Sequence, residues 1–300
     1  MDKHSITVGE IDITITNPEK LLWMGITKAD YLHYLTKISS QMLPFLHDKP
    51  LTVIRYPDGV NGEAFYQKNC PEYAPHFIQT VQYHDHRAII CSNLPTLLWL
   101  GNQAALEFHV PFAPYQSEQP SEIVFDLDPP SQEAFYLAVE AAKQIKITLD
   151  RLHITGFLKL SGNKGLQIHI PLPQNTFTYD QTKIFTSFIA HYLVEMNPEK
   201  FTVERLKKKR HGRLYIDYVQ HASGKTIIAP YSVRGNQNGL VAVPIEWSEL
   251  TDELSPLQFS MEKVLNRKAN PFESYEEARI VQPFQQILNW LIGQEKNNRL

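Results

Sequence analysis

Cysteine is almost missing from this chain of 300 residues. There are two, Cys70 and Cys91, with no Cys-x-x-Cys spacing, so neither a structural zinc site nor a disulfide framework is expected, and a reducing cytoplasm fits best. No stretch reaches the roughly 18 apolar residues of a helical membrane span, so no membrane association is expected. The first ten residues are polar and lack the apolar stretch of a signal peptide. Internal repeats, low-complexity tracts and Gly/Ser linkers are absent too, which speaks against solenoids and loosely tethered modules. A strong basic balance is also lacking. The net charge is -3, which counts mildly against a general nucleic-acid binder.

What is present is core-forming material. The chain is 43% apolar, with 15 Phe, 14 Tyr and 4 Trp, enough for one large domain or two fused lobes. The charge is unevenly spread. Residues 200–234 hold nine Lys or Arg against two acids, Glu204 and Asp217, so that segment carries +7 and the rest -10. Such a local field suits phosphate, although a run like Lys207-Lys208-Lys209-Arg210 is more often a solvated loop.

Periodicity and punctuation predict mixed elements. Strands are expected over 12–16, 51–56, 77–81, 88–90, 105–110, 121–127, 156–160, 166–170, 214–219 and 226–229. Helices are expected at 27–46, 94–103, 132–150 and 179–196, and through most of the chain after Trp247. Asn17-Pro18-Glu19 reads as a further helix start. Strands and helices do not alternate strictly, which predicts an α+β fold rather than a doubly wound parallel sheet. The expected organisation is one catalytic unit: an N-terminal subdomain over 1–81, a core over 82–250 and a helical extension over 251–300.

The sharpest chemical signal is Ile123-Val124-Phe125-Asp126-Leu127-Asp128-Pro129-Pro130. Strand side chains alternate, so Asp126 and Asp128 share a face. Two neighbouring carboxylates repel unless a proton or a hard divalent cation relieves them; the other reading is a solvated strand end. In Leu214-Tyr215-Ile216-Asp217-Tyr218-Val219, a single acid sits in an apolar strand. It is either a third metal-binding carboxylate or half of a structural salt bridge. Ser161-Gly162-Asn163-Lys164-Gly165 lies between strands, so it is a hairpin turn or an anion-binding loop, but not a Walker loop. Phe65-Tyr66 could stack on a base, although core packing is the commoner use of such a pair. His84-Asp85-His86 has no companion ligands in the sequence and no metal is expected there.

The order of these motifs resembles the polymerase domain of bacterial ligase D, in the archaeo-eukaryotic primase superfamily. The resemblance rests on Asn17-Pro18-Glu19-Lys20, Thr27-Lys28-Ala29-Asp30, Ala64-Phe65-Tyr66, Glu107-Phe108-His109-Val110-Pro111, the Asp126 and Asp128 strand, Ser161-Gly162-Asn163-Lys164-Gly165-Leu166, Asp217-Tyr218-Val219-Gln220 and Ile228-Ala229-Pro230-Tyr231-Ser232-Val233-Arg234-Gly235.

The resemblance implies a primase-like catalytic core of mixed and antiparallel sheets flanked by helices. It implies a nucleotidyltransferase that adds nucleotides, with ribonucleotides preferred over deoxyribonucleotides, to 3′ ends at gaps and double-strand breaks during non-homologous end joining. Two Mn2+ or Mg2+ ions would sit on Asp126, Asp128 and Asp217. His109, Ser161, Lys164, Gly165, Arg210, Gln220 and Arg234 would surround the incoming NTP or dNTP. Lys20 and Lys28 would bind the DNA 5′-phosphate at a gap or end, with Phe65 and Tyr66 beside the template. Ku and a DNA ligase are the implied partners, and a nucleoid-associated cytoplasmic location follows. Two departures from the family pattern bear on nucleotide affinity and sugar preference. Gln167 stands where the family usually has histidine, with His169 two residues on, and Ile54 stands where a basic residue is common before Arg55. The segment 81–90, which matches an end-pairing loop, is short. Competing readings are a primer-independent primase, a metal-dependent nuclease and a non-catalytic DNA-end-binding module.

Overall fold

The computed structural model describes residues 3–281 and 283–297. The chain forms two compact units that interleave in sequence. The first runs to Gln116 and takes back Thr226–Val243 and Leu257–Ala269; the second comprises Ser117–Lys225, Pro244–Pro256 and the chain from Asn270 onward. The breaks expected near 81 and 250 therefore do not coincide with the edges of the units.

The first unit opens with an antiparallel hairpin of β1 (Lys3–Val8) and β2 (Ile11–Thr16). Its alternation buries Ile13 and Ile15. The helix expected at Asn17 is absent. Asn17 takes a left-handed φ of 49°, which asparagine tolerates better than most residues, and the Lys20 amide closes a turn on the Asn17 carbonyl at 3.1 Å. The chain goes straight into β3 (Leu21–Trp23) and β4 (Ile26–Thr27). Asn-Pro marks turns as well as helix starts, and here no helical apolar stripe follows to decide for a helix.

Helix α1 (Lys28–Met42) begins at a complete capping box between Thr27 and Asp30, which satisfies two otherwise orphaned amides. Its buried stripe of Tyr31, Leu35 and Ile38 meets α2 (Leu94–Asn102). A Cβ on Gly101 would lie 2.5 Å from Leu35 Cδ1, so glycine permits this close crossing. Strands β5 (Thr52–Arg55) and β6 (Phe65–Gln67), the hairpin β7 (Thr80–Tyr83) and β8 (His86–Ile89), and β9 (Ala105–Pro111) complete this stretch. The Tyr31 hydroxyl reaches the Ala105 carbonyl at 2.8 Å, tying the helix to β9.

The second unit is built on β10 (Glu122–Asp128), α3 (Phe135–Arg151), β11 (Phe157–Leu160), β12 (Leu166–Pro171), α4 (Tyr179–Met196), β13 (Phe201–Thr202) and β14 (Leu214–Asp217). Next comes β15 (Thr226–Ile228), which pairs with β9 and so belongs to the first unit. The strands expected at 214–219 and 226–229 therefore both exist but lie in different sheets. β16 (Pro244–Ile245) and the helices α6 (Tyr275–Val281) and α7 (Phe284–Asn297) complete the second unit, while α5 (Met261–Leu265) packs on α1 in the first.

Two sheets result. The first unit has four strands in the order β15-β9-β5-β6. The second has six in the order β13-β14-β10-β12-β11-β16, antiparallel except for β13 with β14. This is the expected α+β architecture. In β10, Ile123, Phe125 and Leu127 are buried. The Phe125 ring lies 6.2 Å from Phe185 of α4, which lies 5.1 Å from Phe284 of α7. Burying each ring contributes about 2–3 kcal/mol. With one face of β10 held against helices, the pleat directs Asp126 and Asp128 to the other. Among the described residues, no helix is long and apolar enough to cross a membrane.

Candidate active site

In the second unit, the antiparallel register sets Asp126 of β10 directly opposite Asp217 of β14, and Asp128 opposite Tyr215. All three acids are only partly exposed. Asp126 Oδ1 accepts a hydrogen bond from Gln167 Nε2 at 3.1 Å. Burial and the charges of Asp217 and Asp128 outweigh that bond and push its carboxyl up to about 6. Asp217 Oδ1 accepts from the Tyr215 hydroxyl at 3.0 Å and the Gln220 amide at 2.9 Å. Burial still raises its carboxyl from the ordinary value.

Asp128 is differently placed. Its Oδ1 meets Lys164 Nζ at 2.9 Å and its Oδ2 accepts from Arg210 Nη1 at 3.0 Å. Arg210 is itself held by the carbonyls of Glu204 and Arg205 and lies 3.9 Å above the Tyr215 ring. With Asp128 engaged this way, no three Asp, Glu, His or Cys side chains converge as a ready ligand set among the described residues. The donor chemistry still fits a hard divalent cation. Carboxylate oxygens gather on adjacent strands, and one is raised by its neighbours, a repulsion that a cation relieves.

The loop Ser161-Gly162-Asn163-Lys164-Gly165 joins β11 and β12 as a hairpin connection. Gly162 is left-handed with φ of 73°, and Ser161 Oγ accepts the Gly165 amide at 3.0 Å. One glycine amide is thus used to close the turn, and Lys164 is the side chain that reaches the acids. Behind the acids, Lys159 is wholly buried and donates to Gln167 Oε1. Gln167 therefore bridges a buried cation to Asp126. Lys159 was not singled out from the sequence, although a lysine inside an apolar strand is the same kind of signal as Asp217. His169 is buried and bonds Glu122 at 2.8 Å through Nδ1. It belongs to that separate contact, not to the place of the family histidine.

The other two nucleotide-binding candidates, His109 and Arg234, lie in the first unit and meet at one residue. Glu107 Oε2 lies 3.0 Å from His109 Nε2 and 2.8 Å from Arg234 Nη1. Glu107 Oε1 accepts from the Tyr56 hydroxyl and the Gly235 amide, both at 3.1 Å. Burial would push this carboxyl up; the His109 bond, the Arg234 and His109 charges and the Gly235 amide override it and hold it down at about 2.

The residues expected to meet DNA also lie in the first unit. Lys20 pairs with the exposed Asp58 at 2.9 Å. Lys28 is the first residue of α1, is buried, and donates to the Thr16 carbonyl at 2.6 Å. Burial, then the Lys20 and Arg55 charges, lower it to about 8. Phe65 and Tyr66 on β6 are 44% and 72% exposed, so the alternative of core packing is excluded for both. The Arg55 guanidinium lies 5.0 Å over the Phe65 ring.

The family model "LigD, primase-polymerase domain" matches residues 27–272. The chain is 49% identical over 268 residues to the bifunctional non-homologous end joining protein LigD of Bacillus subtilis, covering 88% of this chain and 44% of that protein. It is 32% identical over 265 residues to the multifunctional LigD of Mycolicibacterium smegmatis, covering 85% and 34%. It thus spans less than half the length of either relative. A solved structure, the polymerase domain from Mycobacterium tuberculosis ligase D in complex with DNA, superposes with a TM-score of 0.80 at 31% identity, over 90% of this chain and 99% of that one. The chain belongs to the LigD primase-polymerase domain family.

Proposed function

We propose that this chain is a template-directed polymerase that adds nucleotides, ribonucleotides in preference, to 3′ ends at gaps and double-strand breaks in DNA. The observation that carries the reading is the set of acids on β10 and β14, with Lys164 and Arg210 bound to one of them. Asp126 and Asp217, set opposite each other on the strand pair, cost folding free energy when brought together, and the two cations on Asp128 are of the kind that binds phosphate oxygens.

Asp126, Asp128 and Asp217 would hold Mn2+ or Mg2+, two ions in the full site. Divalent ions bound there supply Lewis acidity toward the 3′-hydroxyl and neutralise phosphate charge. Lys164 and Arg210 exchange Asp128 for phosphate oxygens as the nucleotide enters, and Arg210 keeps its orientation through its carbonyl anchors and the Tyr215 ring. Gln167 holds Asp126 by its amide, and Gln220 holds Asp217 by its backbone. In the first unit, Lys20 and Lys28 bind the 5′-phosphate, and the exposed Phe65 and Tyr66 offer ring faces to a template base. Ku and a DNA ligase are the partners this role requires, in the cytoplasm at the nucleoid.

The test is primer extension on a gapped duplex carrying a 5′-phosphate, with Mn2+ and either NTPs or dNTPs. Metal-dependent addition lost in Asp126→Ala supports the reading, and the NTP to dNTP ratio measures sugar preference. Tight, phosphate-dependent DNA binding without addition overturns it in favour of an end-binding module.

A further inference from the structure

We infer that Lys159 is a positioning residue for the metal-binding acids of the second unit: its ammonium fixes which end of the Gln167 amide faces Asp126, and so the direction in which that carboxylate meets a divalent cation.

The placement is set by strand register. Asp126 stands opposite Asp217 on one side and Gln167 on the other, and Gln167 stands opposite Lys159. Residues directly opposite each other share a face of the sheet. Asp217, Asp126, Gln167 and Lys159 therefore form one row across the adjacent strands β14, β10, β12 and β11. Leu158 and Leu160 beside Lys159, and Leu166 and Ile168 beside Gln167, point to the other face and are buried there. A slip of one residue would turn these apolar side chains onto the polar face, so the row is held in register.

The row has a direction. A lysine ammonium carries donors and no acceptor, so only the oxygen of the Gln167 amide can face it, and Lys159 Nζ donates to Oε1. The amide nitrogen is thereby turned the other way, and Nε2 donates to Asp126 Oδ1 at 3.1 Å. A glutamine amide without such a neighbour can turn over, which would set its oxygen against the carboxylate and push it away. Lys159 is 0% exposed and Gln167 2%, so solvent does not compete for their bond. With one oxygen held, Asp126 keeps one orientation toward Asp217 across the strand pair. Groups that orient a metal-binding side chain in this way govern metal affinity without touching the ion.

Charge alone gives Lys159 the reverse role. A cation behind the acids repels a second cation among them, so a lysine acting through its charge would weaken metal binding. Removing it then predicts opposite signs: tighter binding if charge dominates, weaker binding if orientation does.

This inference rests on the metal assignment of the polymerase reading. The test is titration of Mn2+ into the full chain, followed by the electron paramagnetic resonance signal of the free ion, for wild type, Lys159→Met, Gln167→Leu and the double variant. Lys159→Met keeps the length of the side chain and removes the ammonium. It is expected to weaken Mn2+ roughly tenfold, as for the loss of a group that orients a metal ligand. It should also raise the Mn2+ concentration that half-saturates nucleotide addition by more than it lowers the maximal rate. The double variant should bind Mn2+ no worse than Gln167→Leu alone, because Lys159 acts through that amide. Unchanged or tighter Mn2+ binding in a folded Lys159→Met, or multiplied losses in the double variant, overturn the inference. If Lys159→Met does not fold, Lys159→Gln replaces it. An amide both donates and accepts, so it no longer dictates which end of Gln167 faces Asp126. Mn2+ should then bind severalfold more weakly, and unchanged affinity overturns the inference. Wild-type protein that binds no Mn2+ would sink the metal assignment itself, and the role of Lys159 with it.

Discussion

The two units each place carboxylates inside an apolar strand, and they treat them in opposite ways. Glu107 on β9 is surrounded by four donors and held down at about 2. Asp126 on β10 has one side-chain donor, faces Asp217 across the strand pair, and is pushed up to about 6. A satisfied acid stabilises what it touches; an under-compensated acid carries a standing cost that a cation or a substrate can relieve. The first is therefore read as a brace and the second as the place of chemistry, although both look alike in sequence.

The sharpest way to break this comparison is through activity. Asp126→Ala or Asp217→Ala should lower nucleotide addition at least roughly a thousandfold while leaving DNA binding in a gel-shift assay near wild type. Near-normal addition in either variant would remove the metal assignment.

Stability should move the other way. Glu107→Ala strands Arg234 and His109 and is expected to cost about 3 kcal/mol in urea denaturation, as for a broken buried pair. Asp126→Asn in metal-free protein should be neutral or slightly stabilising, because it removes a repelled charge. Equal losses in both would erase the distinction between brace and site. The pH dependence follows from Glu107 being depressed in the folded chain. Its contribution is fully present above the unfolded value of roughly 4.5, falls as pH drops toward about 2, and is absent from Glu107→Gln.

Much of this was legible from residues alone, and the failures are physical. The common face of Asp126 and Asp128 is legible because a strand's alternation fixes it whatever the tertiary structure. Asp217 stands out because an acid in an apolar strand needs a reason. Glu107 satisfies the same criterion, but its role is not legible locally, since its partners come from positions as distant as Tyr56, Arg234 and Gly235, which no local pattern joins. The buried Lys159 is hidden in the same way, because its partner Gln167 lies on the neighbouring strand. The helix expected at Asn17 failed because Asn-Pro serves turns and helix starts equally. The interleaving of the units was invisible because β15 carries no mark saying that it returns to β9.

A smaller effect is expected at the residues proposed to meet DNA. Lys20→Ala and Lys28→Ala should each weaken binding to a recessed 5′-phosphate by about fivefold to tenfold, and less to a 5′-hydroxyl, measured by fluorescence anisotropy. Lys28 sits near 8 because it is buried beside Lys20 and Arg55. It is protonated below that value and loses its charge above it, so the 5′-phosphate preference should decline between pH 7 and 9. The decline should vanish in Lys28→Ala; a preference that stays constant with pH would place the phosphate away from Lys28.

The smallest effect is expected at Gln167, where the family usually has histidine. Its amide does two jobs at once, donating to Asp126 and accepting from the buried Lys159. A neutral histidine also has one donor and one acceptor, but on a rigid ring whose two nitrogens cannot adjust separately. Gln167→His should therefore keep one of the two bonds well made and loosen the other. The expected result is a few-fold rise in nucleotide KM, roughly the worth of one weakened hydrogen bond, with kcat within about threefold of wild type. A loss of a hundredfold or more in kcat would mean that the amide takes part in the chemistry, and the second unit would then rely on a residue that orients as well as on acids that are poorly compensated.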